Sequence, residues 1–573
     1  QEYGIEGSGG NWFWNPETRQ VEETANAYQY PQCSACFIQS VSDDLRSIFE
    51  LVKNEAMLFK YGSGTGTNFS NLRSKGEELS GGGKSSGVMS FLKVLDAGAG
   101  SIKSGGTTRR AAKMVVLDMD HPEIVDFIDW KVKEEEKARL LIAHGGYPAD
   151  FNGEAYQTVS GQNSNNSVRI PDEFMKAYLD NKEWATRWRT DGKVAQTYQA
   201  KELMDRIAQA AWRSADPGVQ FDTTIQEWNP VANSDRINAT NPCSEFVFID
   251  DTACNLASFN LMKFTAPDGS FKVDEFRHAV RILITAMEIL VDFASYPTKQ
   301  IAERSHQFRP LGLGYANLGT LLMINGIPYD SPEGRAWAGA ITAILHCDAY
   351  ATSAELASQV GPFEAYQANR EPFQKVIHKH AEAAYRLDAT ACPKPLIEAA
   401  HQAADQMVAL GERHGYRNAQ VTNIAPTGTI ALLMDCDTTG VEPDFALVKY
   451  KKRAGGGVFK IINQSVPRAL RKLGYNAREI DEINRYIVGS QTLDGVPHIN
   501  RETLKAKGLT DEEVDSVNRV LPSVFDFSSA FGEWTLGQAC LTRLGIKGAN
   551  VLLELGFTAQ QIEQAGTVTC GMM

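Results

Sequence analysis

The sequence predicts an α/β protein with a sizeable core, and three observations carry that reading. The chain has 573 residues, 43% of them hydrophobic and 22% charged; such a length suits several domains, yet large α/β barrels hold as much chain in one unit. Short apolar runs punctuate it: "AKMVVLDM" (112–119), "EFVFI" (245–249) and "NAQVTNIA" (418–425) read as buried strands, the last two leading into loops. Segments with helical spacing of apolar residues lie between and after them.

Taken in order, residues 1–30 are polar and aromatic without periodicity. Residues 31–130 hold three glycine clusters, "GSGTGTNFSNLR" (62–73), "SGGGKSSG" (80–87) and "GAGSIKSGGTTRR" (98–110), with helix-like "SFLKVL" between them. Residues 200–215 and 273–293 read as helices. In the second, Phe276, Val280, Leu283, Met287 and Leu290 step by 4, 3, 4 and 3, while Arg281 and Glu288 interrupt the apolar run, so one face packs on a core. In the last hundred residues "GYNAREI", "GLTDEEV" and "GFTAQQI" each read as a capped helix start. Asn476, Thr510 and Thr558 are the caps, with Glu479, Glu513 and Gln561 reaching back. Their irregular spacing excludes a solenoid.

A net charge of −13 argues against a general nucleic-acid or anionic-membrane binder. A nucleotide ligand stays open, because backbone N–H groups at helix starts hold phosphate without a basic surface. Nine cysteines in such a length are not a disulfide scaffold. No signal peptide opens the chain and no apolar run is long enough to span a bilayer, so the expected setting is the cytoplasm. The start at Gln1 and the end at "TVTCGMM" read as those of a fragment.

The chemistry gathers at "NPCSE" (241–245), with a second thiol, Cys254, eleven positions after Cys243. In an extended segment alternate residues share a face, so Asn241, Cys243 and Glu245 would present an amide, a thiol and a carboxylate together. A carboxylate raises the pKa of a neighbouring thiol and no basic partner is adjacent, so a thiolate nucleophile is not what this pattern builds. It suits a hydrogen-atom donor and acceptor, with Glu245 moving a proton nearby. The plainer alternative is a buried cysteine acting as a small hydrophobe. "PQCSACF" sets Cys33 and Cys36 in a C-x-x-C, either a redox pair or half a zinc site, with no second half in the chain to complete the latter. Cys347, Cys392, Cys436, Cys540 and Cys570 have no paired spacing and read as structural. "NIAPTGTIALLMD" (423–435) reads as strand, tight turn and helix, with Thr427, Gly428 and Thr429 at the helix start as a phosphate cradle. "SGGGKSSG" is no P-loop, since the glycine required five residues before Gly83 is Glu78.

Together "TNPCSE", "ACNLASFNL", "SACFIQSV", "GSGTGTNFSNLR", "SGGTTRRAAKM", "FRPLGLGYANLG" and "APTGTIALLMDCDTTGVEP" resemble the catalytic chain of ribonucleotide reductases over about residues 30–450, most closely the adenosylcobalamin-dependent class. The resemblance implies a ten-stranded α/β barrel with the radical cysteine on an inner loop: an N-terminal segment (1–30), the barrel with effector-site elements (31–470) and a helical C-terminal part (471–573). It implies that Cys243 becomes the thiyl radical that takes the ribose 3′ hydrogen, that Glu245 accepts the 3′-hydroxyl proton and that Asn241 hydrogen-bonds the substrate. Cys36 and Cys254 would supply two electrons and end as a disulfide, leaving Cys33 as an extra thiol. Ala425, Pro426, Thr427, Gly428 and Thr429 would hold the substrate phosphates. Asp43 would hold the sugar of a deoxynucleotide effector, and Lys103, Ser104, Gly105, Gly106, Arg109 and Arg110 would form the loop that passes its signal on.

The implied cofactor is adenosylcobalamin, although the D-x-H-x-x-G signature of other cobalamin proteins is absent from the sequence. The implied partners are a ribonucleoside di- or triphosphate, a thioredoxin-type or small-thiol reductant and a second copy of the chain. No ATP-binding cone precedes the match, and further barrel and a cysteine-bearing tail are expected beyond Met573. Two alternatives stand beside this reading: the large subunit of a metal-dependent reductase with a radical-generating partner, and a non-catalytic nucleotide-binding homologue.

Overall fold

The computed structural model describes residues 9–102, 111–149, 153–452, 458–524, 526–548 and 550–572. It divides into two compact units, one of Gln1–Phe259, Lys272–Tyr315 and Ala336–Pro426, the other of Asn260–Phe271, Ala316–Arg335 and Thr427–Met573.

The first unit is organised by a seven-stranded sheet. Its strands are β1 (Ser34–Ile38), β2 (Gly64–Asn68), β3 (Ala112–Asp118), β4 (Asn165–Ile170), β5 (Gly218–Phe221), β6 (Thr252–Asn260) and β7 (Leu311–Ala316), in the spatial order β7-β6-β1-β2-β3-β4-β5. Strands β1 to β5 run parallel, and β6 pairs antiparallel with β1. Parallel strands need crossover connections, and here helices supply them: α1 (Leu45–Lys60), α2 (Val88–Ser101), α3 (Ile124–Gly145) and α4 (Ala200–Ser214). Val115 and Leu117 of β3 and Val168 and Ile170 of β4 meet Leu51, Leu92, Phe127 and Leu203 of those helices in one buried cluster. Each such side chain contributes about 1.5–3 kcal/mol on burial.

The run "AKMVVLDM" is the strand β3 as expected, and its lysine is buried with it. Lys113 reaches Glu55 of α1 with Nζ 2.6 Å from both carboxylate oxygens. Lys113, Val115 and Leu117 therefore face the helices, while Met114 and Val116 face the other side of the sheet.

Helix α5 (Val273–Phe293) forms where the apolar spacing puts it, but its buried stripe is Phe276, Val280, Ile284, Met287 and Val291. Leu290 is 38% exposed, against expectation. The inward side of the last turns is set by Glu288, which is buried and accepts from Arg309 Nε at 2.6 Å, Arg417 Nε at 2.7 Å and Asn418 Nδ2 at 2.5 Å. The charge read as an interruption thus sits in the core, fully bonded.

No single sheet among the described residues reaches the expected ten strands. Segment 418–425 lies beside β7 and exchanges backbone bonds with it, Leu311 N to Gln420 O at 2.8 Å, Leu313 N to Val421 O at 3.0 Å and Asn423 N to Leu313 O at 3.1 Å. It makes only the bridge Leu313–Thr422, because the register slips before it, Leu311 to Leu313 spanning two residues against one from Gln420 to Val421; beyond it Pro426 has no N–H and Thr427 turns to φ 54°, ending the extended run. In the second unit the capped helices Ala477–Val488, Asp511–Val520 and Ala559–Cys570 start with the three capping boxes the sequence predicts. A further box, Asn500 with Thr503, starts Arg501–Ala506; its threonine hides it from a search for Glu or Gln.

Candidate active site

Ala239–Thr240 and Val247–Phe248 pair antiparallel, so residues 241–246 form the tip of a hairpin. This corrects the extended reading of "NPCSE" and shortens the expected strand 245–249 to two residues. Ser244 N donates to Asn241 O at 3.1 Å, Asn241 N to Phe246 O at 3.2 Å and Phe246 N to Asn241 Oδ1 at 2.9 Å. Ser244 takes φ 64° to close the turn. Cys243 is exposed at the tip.

The hairpin has its seat in missing side chains. A Cβ on Gly66 of β2 would lie 1.7 Å from Thr240 O, and one on Gly64 would lie 2.8 Å from Pro242 Cγ. The glycines of "GSGTGT" are therefore spacers that let a second layer of backbone lie on the sheet. Polar side chains of the sheet then hold the hairpin: Asn68 Nδ2 donates to Asn238 O at 3.0 Å, Asn165 Nδ2 to Pro242 O at 2.8 Å and Gln220 Nε2 to Thr240 Oγ1 at 3.1 Å.

Beside the tip lie two thiols that are 218 residues apart in sequence yet opposite each other in the β1–β6 ladder, Cys36 facing Cys254, with a bulge directly after Cys254. Cys36 Sγ is 3.5 Å from Glu245 Oε1 and receives Asn241 Nδ2 at 3.2 Å. Cys254 Sγ receives Asn423 Nδ2 at 3.2 Å and lies 3.3 Å from Asn255 O. Burial, then the charges of Cys254 and Glu245, push the Cys36 thiol well above its ordinary range; burial and Glu245 do the same to Cys254. Both sulfurs therefore keep their protons at neutral pH, which suits hydrogen donors and not nucleophiles. Glu245 Oε2 is buried without a hydrogen-bond partner, an acceptor aimed at nothing of the protein's own.

The other expected positions fall as follows. Ala425 is buried and Pro426 exposed, and the boundary between the two units follows Pro426. In the second unit Thr427 caps the six-residue helix Gly428–Leu433; its hydroxyl accepts from Gly440 N, while Gly428 and Thr429 are exposed. Asp43 precedes α1 and is bonded to Arg73, Nε to Oδ2 at 2.6 Å. Lys103, Ser104, Gly105, Gly106, Arg109 and Arg110 lie outside the described residues. Cys33 is half-buried and packs with Phe37 and Tyr296. Among the described residues no group of His, Cys, Asp and Glu is placed to hold a metal, and no helix is long and apolar enough to cross a membrane.

A family model described as "Ribonucleotide reductase, barrel domain" matches residues 34–506. The chain belongs to the ribonucleotide reductase family. It is 47% identical, over its whole length and 52% of the relative's, to the vitamin B12-dependent ribonucleotide reductase of Agrobacterium fabrum. It is 46% identical, again over its whole length and 53% of the relative's, to the same-named protein of Bradyrhizobium diazoefficiens. With that of Rhodopirellula baltica it shares 52% identity over 88% of this chain and 48% of the relative. The chain thus spans about half the length of these relatives.

Three features of the first unit escaped the sequence reading. Asn423 carries no motif signal beyond preceding the "APTGT" turn. Gly312 and Gly314 stand in "PLGLGYA", where a Cβ would lie 2.5 Å from Cys254 Sγ and 2.3 Å from Asn423 O respectively. Two glycines at alternate positions of an apolar strand signal close backbone approach, so these were findable. A cavity of about 330 Å³ at the ends of β3 and β4, lined by Asp118, Arg169, Trp184, Asp222 and Arg236, contains none of the residues the sequence singles out.

Proposed function

We propose that this chain is the catalytic part of an adenosylcobalamin-dependent ribonucleotide reductase, its seven strands belonging to the family's ten-stranded barrel. The observation that carries the reading is the polar cluster beside the hairpin tip: Cys36 across from Cys254, with Asn241 and Glu245 both on the Cys36 sulfur. The 46–52% identity to relatives named for vitamin B12 supports the class.

The residues fit such a cofactor in one respect that this structure offers. A radical generator must reach a sulfur, and Cys243 stands exposed at the turn with Ser244 beside it, the pair that would face the cofactor. When bound, adenosylcobalamin supplies an organic radical by homolysis of its cobalt–carbon bond. In this reading Cys243 loses its hydrogen atom, takes the 3′ hydrogen of the ribose and returns it to the 3′ carbon once the 2′ carbon is reduced. Glu245, through the carboxylate oxygen that no protein group bonds, accepts the 3′-hydroxyl proton. Asn241, its amide fixed by Phe246 N, hydrogen-bonds the sugar. Cys36 and Cys254 give two electrons and two protons; the 2′-hydroxyl leaves as water, the 2′ carbon keeps a hydrogen and the two sulfurs become a disulfide. Thr427 to Thr429 hold the phosphates, Asp43 and loop 103–110 serve a deoxynucleotide effector, and an external thiol restores the dithiol.

The test is reduction of a cytidine nucleotide with dithiothreitol, with and without adenosylcobalamin, by wild type and Cys243→Ala. Product only with the cofactor and only with wild type is expected, with nucleotide binding retained by Cys243→Ala. Cofactor-independent product, or an active Cys243→Ala, would overturn the reading.

A further inference from the structure

Each sulfur of the facing pair carries one asparagine amide, and the two asparagines come from different places. Asn241 belongs to the hairpin. Asn423 comes from the extended segment beside β7, where it is 3% exposed, and its Nδ2 lies 3.2 Å from Cys254 Sγ, a sulfur fully buried. Its orientation is set from the other end. Gln420 Nε2 donates to Asn423 Oδ1 at 2.7 Å, so the oxygen is occupied and the NH₂ end faces the sulfur. Its position is set by absence: a Cβ on Gly312 would come within 2.5 Å of Cys254 Sγ and 2.7 Å of Asn423 Nδ2, and one on Gly314 within 2.3 Å of Asn423 O. Strand, glycines, glutamine and asparagine thus converge on one sulfur.

We propose that Asn423, locked by Gln420, is a positioning residue for the Cys254 sulfur, donating a hydrogen bond that stabilises negative charge there as the Cys36–Cys254 dithiol is oxidised. This rests on the reading of that pair as the reductant of the reaction. The argument is electrostatic. A dithiol that becomes a disulfide gives up two protons and two electrons, and at least one sulfur passes through an anionic form. In a site from which water is excluded, that charge needs a donor already in place. Asn241 serves the Cys36 sulfur in this way and no cationic side chain is bonded to either sulfur among the described residues. The Asn423 amide opposes the burial and the Glu245 charge that hold Cys254 protonated.

The experiment is oxidation of the reduced chain by diamide, which takes up the two electrons and two protons as its hydrazine. The Cys36–Cys254 disulfide is followed by peptide mass spectrometry as a function of pH, with no cobalamin or nucleotide present. Asn423→Leu should form the disulfide about tenfold more slowly at pH 8, with its rate profile moved up by about one pH unit. Gln420→Ala, which leaves the donor in place but frees it to turn, should fall between Asn423→Leu and wild type, and Asn423→Gln should recover part of the rate. Circular dichroism confirms that each variant is folded; if Asn423→Leu is not, Gln420→Ala and Asn423→Gln decide alone. Superimposable profiles in folded variants overturn the proposal, whatever the activity. A wild type that forms the disulfide yet reduces no nucleotide defeats the functional reading and leaves Asn423 its role. A wild type that forms no Cys36–Cys254 disulfide overturns both.

Discussion

The hairpin on the sheet and the helices of residues 477–570 are built by opposite means. In the helical region each element declares itself locally: Thr510 accepts from Glu513 N while the Glu513 side chain returns to Thr510 N at 2.8 Å, all within four residues. In the hairpin the deciding contacts are remote, Gly66 making room for Thr240 and Cys36 receiving Asn241 from 205 residues away. The difference teaches where sensitivity should lie. A local device can be lost for its own energy and little more, whereas a seat made of absent atoms fails as a whole when one atom is added.

Gly66→Ala is the sharpest way to break that contrast. A Cβ at 1.7 Å from a backbone oxygen has no flexible neighbour to displace, so the hairpin must lift off the sheet. Displacement of a reacting group by about an ångström costs on the order of 100-fold in rate. Reductase turnover of Gly66→Ala should therefore fall by at least about 100-fold, and near-normal turnover would show that the hairpin is not held as described.

Acid should separate the regions next. His121, at the end of the sheet region, is fully buried, with Nε2 on Leu72 O at 3.0 Å and Nδ1 accepting from Glu123 N at 3.1 Å. Burial above all, with Arg189 adding to it, lowers its pKa to about 4. Below about pH 6.5 the unfolded chain binds a proton that the folded chain refuses until about pH 4. Stability should then drop by about 3 kcal/mol between those limits. Urea unfolding across that range measures it, and His121→Gln should flatten this part of the slope.

The smallest effect belongs to the caps. Thr510→Ala removes one side-chain acceptor and should cost about 1 kcal/mol, read as a shift in the urea midpoint with nucleotide reduction unchanged. A loss several times larger would mean that the helical region is as interdependent as the sheet.

The same contrast explains what was legible in the sequence. The three capping boxes and strand β3 could be read because their causes lie within a few residues. The stripe of α5 was read one position off at Leu283 and Leu290, where Ile284 and Val291 are buried instead; in the last turns Arg309 and Arg417, far along the chain, decide that Glu288 turns inward. "NPCSE" was read as extended because nothing in five residues shows that Asn241 Oδ1 will bond Phe246 N and fold the segment into a turn. The pairing of Cys36 with Cys254 entered through family resemblance alone; strand register over such a separation leaves no local trace. Asn423 was passed over for the same reason, since its meaning depends on a sulfur 169 residues earlier.

The register of those two cysteines has a mechanical consequence. Directly opposed residues on antiparallel strands hold their Cβ atoms about 4.5–5.5 Å apart, and a disulfide asks for about 3.8 Å. Cys36 and Cys254 are such a pair, on strands stitched together on either side by Ile38–Thr252 and Ser34–Asn255. Closing and reopening the bond would need side-chain rotation and a small pinch of the ladder, with the bulge after Cys254 giving the slack. Such a bond could close and reopen without a hinge, so the hairpin and Glu245 would keep their places in both oxidation states.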